Sequence, residues 1–451
     1  MARKAGPAAG FSRPRRSLDD LPVWGGSICL VGALLYLGAV RGPLIYDGSF
    51  FLYQILETQL PFIPDNRFLA VPVHIVTIGA SHLTDDVWTL GLVFSVTYLA
   101  MAVGTFLGSA WWMSRQDGGL VVWPVLGLLL VSPILVDTTT ESLATAGLAF
   151  AMTYIAATPK TRRRWVIAGV LAGLLFASHP YAGVVLAWAG GVAAYRWARS
   201  GRREVAELVF CGAAVVIGVI RLSILVPGYE TAAAAPGALL PELWHLVLPE
   251  TAALALGAWL CGIGLLLWRR GLIPVGAGPL TCLAPALGYV PLLVGLARGT
   301  GWPPPIAYRF ATVPLVLPLL ILLVIDLVTA GGDRAPTNAK AAYRAAAAAA
   351  MLAISAGLVL QGWRWNEEVS AMRAHVAATA APCGPDFAGA AAIATWGGRS
   401  LAVLVQGREP RVVLGSQAEC DRLISAHVYS GSNHFTALYL PSRGWFHLPR
   451  P

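Results

Sequence analysis

Apolar positions in this chain run on for membrane-crossing lengths, and polar positions gather in the short breaks between the runs. The runs recur from Trp24 to Leu360. A bilayer core takes about 20 apolar residues in a helix, and its lack of water forces each backbone group to find its partner inside that helix. The pattern predicts eleven spans, at 24–43, 87–111, 118–134, 142–157, 163–180, 181–196, 205–226, 249–268, 273–296, 309–331 and 342–361. The segment 67–82 is apolar but short, with Pro72 and His74 inside it. It reads as a surface or re-entrant helix. Phe50 to Leu60 is amphipathic and predicts another helix outside the spans.

Charge decides the placement of 67–82. If it does not cross, Arg115, Lys160–Arg164, Arg196–Arg203, Arg269-Arg270 and Arg334–Arg344 all fall on the side of the N-terminus. Loops rich in Lys and Arg mark the cytoplasmic side, so the N-terminus is expected inside and the C-terminus outside. The outer face then collects residues 44–86, Asp137 to Glu141, His179 to Tyr181, the loop 227–248, and Arg298 to Arg309. The expected fold is an all-α polytopic membrane protein of about eleven transmembrane helices with external juxtamembrane helices, plus a small external C-terminal α/β domain. Its divisions are a basic cytoplasmic tail at 1–23, a transmembrane domain at 24–362 with the external loop 44–86, and the C-terminal domain at 363–451. In that last part Ser400–Val405, Arg411–Leu414 and Thr436–Leu440 read as short strands.

Composition agrees with a membrane protein and removes one class of partner. The chain is 57% hydrophobic and 12% charged, with mean hydropathy +0.66. A net charge of +9 points to nucleic acid in a soluble protein. Here the basic residues lie between spans, so nucleic acid is not an expected partner. The N-terminal Arg3, Lys4, Arg13, Arg15 and Arg16 precede a run without a small-residue cleavage site, which predicts an uncleaved first span. Near-total use of Arg over Lys fits a GC-rich bacterial genome. No inverted internal repeat of the secondary-transporter kind is present, and Ala345–Ala350 suits close helix contact. Cys29, Cys211, Cys261 and Cys282 lie in apolar runs as packing residues. Cys383 and Cys420 share the polar tail, and an oxidising outer side predicts a disulfide between them.

The candidate chemistry sits on the expected outer face. Asp47, in Ile45-Tyr46-Asp47-Gly48-Ser49, follows the first span, and the cluster Asp65-Asn66-Arg67 comes next. A carboxylate at the membrane surface suits a general base that takes a proton from an acceptor hydroxyl; a bare interfacial residue is the plainer reading. Asp137 and Glu141 stand at a helix start, where Thr139 or Thr140 as a cap and Glu141 in the first turn would serve structure alone. His179, before Pro180 and Tyr181, serves either a hairpin hydrogen bond or a phosphate or metal contact. Arg221 lies inside an apolar run near its outer end, where it either snorkels or binds substrate. Tyr308 and Arg309 open a late span, and a guanidinium there suits a phosphate, with Arg67 and Arg298 as weaker versions. Asp326, near an inner end, reads as structural. Asp137, Glu141 and His179 leave room for a divalent metal, though no spacing defines a preformed site.

Taken in order, Tyr46-Asp47-Gly48, Arg67-Phe68-Leu69-Ala70-Val71-Pro72-Val73, Thr140-Glu141-Ser142-Leu143, Ser178-His179-Pro180 and Tyr308-Arg309-Phe310 resemble the GT-C superfamily of membrane glycosyltransferases. The resemblance covers about residues 24–331. It departs from bacterial members where Asn66-Arg67-Phe68 stands in place of a Lys-Pro-Pro and His179 in place of a hairpin Lys. It implies an inverting transfer of sugar from a polyprenyl-phosphate donor to an envelope glycan, lipid or protein. Asp47 then takes the base role, Glu141 that of second acid, and Arg309 a phosphate contact. The alternatives at this point are a transporter or flippase of a lipid-linked sugar and a non-catalytic envelope assembly protein.

Overall fold

The computed structural model describes residues 21–45, 47–63, 67–135, 141–158, 161–200, 204–223, 249–274, 278–299, 312–329, 337–387, 396–418, 420–421 and 445–448. Among them lie fourteen α-helices and two short strands. The first group is α1 (Leu21–Ala39), α2 (Asp47–Thr58), α3 (Val71–Ser81), α4 (Val87–Ser114) and α5 (Val122–Val131). Then come α6 (Ser142–Ala157), α7 (Arg162–Ala177), α8 (Ala182–Arg199), α9 (Val205–Ser223) and α10 (Pro249–Arg269). The last are α11 (Gly278–Arg298), α12 (Thr312–Thr329), α13 (Thr337–Ala378) and α14 (Trp396–Gln406).

Each of the eleven apolar stretches falls on one helix. Six of these, α1, α4, α9, α10, α11 and α13, are long and apolar enough to cross a membrane. The helices α3, α5, α6 and α12 are apolar but shorter; α5 is lengthened by 3-10 turns at Gly118–Val121 and Ser132–Ile134. α3 begins at Val71 with Pro72 in its first turn, where a missing N–H costs no hydrogen bond. α4 is started by Asp86, whose carboxylate accepts the N–H groups of Trp88 and Thr89. Large apolar side chains cover the outside of the bundle, including Ile28, Leu35, Val166, Val219 and Leu287, all exposed. A water-facing surface rarely carries so continuous an apolar coat.

Small residues set the helix spacing. A Cβ on Gly257 of α10 would sit 2.6 Å from the Ala284 carbonyl oxygen and 2.9 Å from the Gly288 Cα of α11. The two backbones touch there, and only glycine fits. α1 and α13 meet likewise at Gly26 and Ala348, and Ala346, Ala347 and Ala350 are fully buried.

The buried and half-buried charged groups of α6–α9, α10 and α12 sort to helix ends. At one end Arg196 pairs with Glu207 at 3.3 Å and donates to the Ala157 carbonyl, joining α6, α8 and α9. At the same end Arg269 meets Asp326 at 2.5 Å, and Trp123 Nε1 donates to Asp326 at 3.1 Å. Asp326 therefore has a structural role.

α13 is the longest element, 42 residues. At 1.5 Å per residue it measures about 63 Å, twice the hydrocarbon core. It runs unbroken through Trp363, and Trp365, Val369, Met372 and Val376 bury one face of the extension. The chain then turns back. β1 (Cys383–Gly384) pairs in parallel with β2 (Val413–Leu414). Cys383 and Cys420 are joined in a disulfide, with Cα atoms 5.9 Å apart. Ser400–Val405, expected as a strand, is part of α14. Its unbroken apolar run Leu401–Leu404 carries no period to separate strand from helix, and all four residues are buried. Thr436–Leu440 lies outside the described residues.

This C-terminal segment sits on α2. Ser49 Oγ donates to the Gly397 carbonyl at 2.7 Å. Phe446 stacks on Tyr53 at 5.1 Å, and its N–H donates to Glu57 Oε2 at 3.0 Å. Arg408 pairs with Asp85 at 2.5 Å.

Candidate functional site

At the end of the bundle opposite the Arg269–Asp326 pair, buried polar groups from three helices and one connecting segment converge. Glu141 is the residue before α6, 2% exposed. Its carbonyl accepts both the N–H and the hydroxyl of Thr145, each at 2.8 Å. Its carboxylate makes no capping bond to the helix. Thr145 Oγ1 also lies 2.9 Å from Ser178 Oγ, and Ser178 Oγ donates to the Leu175 carbonyl at 2.7 Å. Ser178 ends α7.

The Ser178 carbonyl accepts Arg221 Nη2 at 2.5 Å. Arg221, 1% exposed in the last turn of α9, thus reaches across to the end of α7 rather than outward to the interface. Its guanidinium also lies 5.9 Å from the Phe176 ring centre. Next to it the Ala177 carbonyl accepts the N–H groups of Phe68 and Leu69 at 2.8 and 2.9 Å. That pins the segment carrying buried Arg67 against the same helix end. A charge taken out of water is retained only where partners or ligands compensate its lost hydration. Arg67, Glu141 and Arg221 are thus all buried beside one hydrogen-bonded path.

His179 follows directly, 7% exposed. Its Nδ1 accepts the Tyr181 N–H at 3.3 Å, and the two rings lie 4.5 Å apart. One ring nitrogen is therefore committed to the hairpin. Arg298 is exposed at the end of α11 and joins no hydrogen bond to this cluster. Asp47 is the first residue of α2, and its side chain lies outside the described part of the structure. Tyr46, Asp65, Asn66, Asp137, Tyr308 and Arg309 also lie outside it. Among the described residues no group of three or more His, Cys, Asp or Glu is placed to hold a metal.

Thr145 and Ser178 link the cluster but were not singled out from the sequence. The available signal was spacing: Thr145 lies four residues after Glu141 and so on the same helix face. α3 follows directly on the segment that carries Arg67 and packs on α4. His74 of α3 stacks on Phe94 of α4 at 6.4 Å and meets Phe51 of α2 edge-on at 6.5 Å.

No family model, curated protein or solved structure matches the chain.

Proposed function

We propose that this protein is an inverting glycosyltransferase of the GT-C type, which moves a sugar from a polyprenyl-phosphate donor to a cell-envelope glycan, lipid or protein on the outer face of a bacterial cytoplasmic membrane. The observation that carries the reading is the convergence of Arg67, Glu141 and Arg221 with Ser178 at one end of an apolar bundle. All eleven apolar stretches cross in this reading, the N-terminus lies inside, and the cluster faces outward. The disulfide in the C-terminal segment fits that side, since disulfides persist outside the reducing cytoplasm.

The chemistry needs little beyond placement and charge. Asp47 takes the proton of the acceptor hydroxyl as that oxygen attacks the anomeric carbon from the face opposite the phosphate. The bond from that carbon to the phosphate oxygen breaks, its electron pair goes to the phosphate, and the configuration inverts. Guanidinium groups stabilise the charge the leaving phosphate gains, the role given to Arg309, with Tyr308 beside it, and to Arg67 and Arg221. Glu141 acts as the second acid, orienting the acceptor or holding a divalent cation with Asp137 or His179. Arg298, exposed, is left to an early contact with the donor.

The test is transfer by the purified chain from a panel of polyprenyl phosphosugars to envelope acceptors. Product with inverted anomeric configuration supports the proposal. A full panel without transfer, while the protein moves an intact lipid-linked sugar across vesicles, replaces it with transport.

A further inference from the structure

A second site lies on the lipid-facing flank of the bundle, away from the polar cluster. An apolar groove of about 200 Å³ runs between α1 and α4, lined by residues that include Val31, Leu35, Val96, Val103 and Gly104. At its upper end two guanidinium groups meet on one indole. Arg41 stands 4.5 Å and Arg373 4.3 Å from the centre of the Trp88 ring. Arg41 Nε donates to the Trp88 carbonyl at 3.1 Å, and its other donor bond goes to the Ala39 carbonyl. Neither arginine forms an ion pair among the described residues. The nearby carboxylate, Asp86, is occupied by the two N–H groups that start α4 and by the Thr89 hydroxyl at 2.5 Å. That hydroxyl, more than any charge, holds the Asp86 carboxyl below its ordinary range.

Two guanidinium charges share one nearby carboxylate, so the site keeps a net positive charge and an anion bound there lowers its energy. The spacing below them suits a lipid. The Arg41 side chain lies 3.5 Å from where a Gly91 Cβ would sit. Val96, the first groove residue on α4, is five residues further along, about 8 Å, and Leu107 is about 24 Å along. A headgroup phosphate at the arginines thus puts glycerol above the groove and one acyl chain inside it. The groove is short and narrow, matched to part of one straight chain rather than to a long branched prenyl chain.

We infer that Arg41, Arg373 and Trp88, with the α1–α4 groove beneath them, form a binding site for a single anionic phospholipid of the surrounding bilayer. The inference rests on the protein's lying in a membrane and is independent of sugar transfer.

The full chain, purified in nonionic detergent, is titrated with phosphatidylglycerol and separately with phosphatidylethanolamine, and retained lipid is counted by native mass spectrometry. One phosphatidylglycerol is expected to be held in preference. Arg373→Gln, an exposed change, should weaken it about five-fold, the worth of one cation near a membrane surface. Gly104→Leu should weaken both lipids, because a Cβ there meets no protein atom and the side chain enters the groove. Gly108→Leu, equally open but outside the groove, should leave retention unchanged. Equal retention of the two lipids, or indifference to both Arg373→Gln and Gly104→Leu, overturns the site. Displacement of phosphatidylglycerol by an equimolar polyprenyl monophosphate also overturns it, assigning the groove to a prenyl chain.

Discussion

His74 is where a single titration reaches the packing of α3 between α2 and α4. It is 2% exposed and lies between rings of α2 and α4. Burial pushes its pKa down to about 4, against a weaker opposing hydrogen bond with the Phe62 backbone. The folded value lies below the unfolded one, so the neutral ring is the form the fold accepts. Its contribution to stability is complete above about pH 6.5 and is lost as pH falls from about 6.5 to about 4. The full loss is about 3 kcal/mol at 1.36 kcal/mol per unit. Melting measured across that window should show the decline in wild type and a flatter profile in His74→Phe, which keeps the stacking on Phe94. Matching profiles in the two proteins would remove His74 as the acid-sensitive group.

Among elements, the α10–α11 crossing makes the sharpest claim. Gly257→Val drives a branched side chain into the Ala284 carbonyl and the Gly288 backbone. Overpacking of this kind costs about 1–3 kcal/mol, and here the helices themselves must separate. Gly104→Val, on open surface, should cost far less. Equal melting of the two variants would mean that the crossing tolerates separation.

Elements of this type were largely legible in the sequence, because an apolar run of membrane length leaves the backbone only one way to satisfy itself. The short α2 and α3 were legible too, one from its amphipathic pattern and the other as a short apolar stretch with Pro72 near its start. The extension of α13 beyond Trp363 was not. Trp363-Arg364-Trp365-Asn366-Glu367-Glu368 reads as the end of a span, and only the packed face at Trp365, Val369, Met372 and Val376 shows the helix continuing. α14 was missed because four consecutive apolar residues have no period. At the candidate site, Glu141 was visible as an acid at a helix start, Arg67 in the cluster Asp65-Asn66-Arg67, and Arg221 as a charge inside an apolar run. Their meeting through Thr145, Ser178 and the Ala177 carbonyl was not, since it depends on how three helix ends and a connecting segment assemble.

For the whole molecule, the proposed orientation puts Lys160 and the other basic loops inside and the C-terminal segment outside. A reporter at the C-terminus should register an external location, and one inserted after Lys160 a cytoplasmic one. Both on one side would remove the eleven-span arrangement and the external site with it. The central claim is sugar transfer with Asp47 as the base, and it is tested most directly by measuring donor affinity and transfer separately in Asp47→Asn. That change keeps size and polarity while removing the proton acceptor. The account predicts a folded protein with wild-type donor affinity and transfer slower by about 10²–10⁴-fold, the usual contribution of a positioned base. Wild-type transfer by a well-folded Asp47→Asn protein would contradict it.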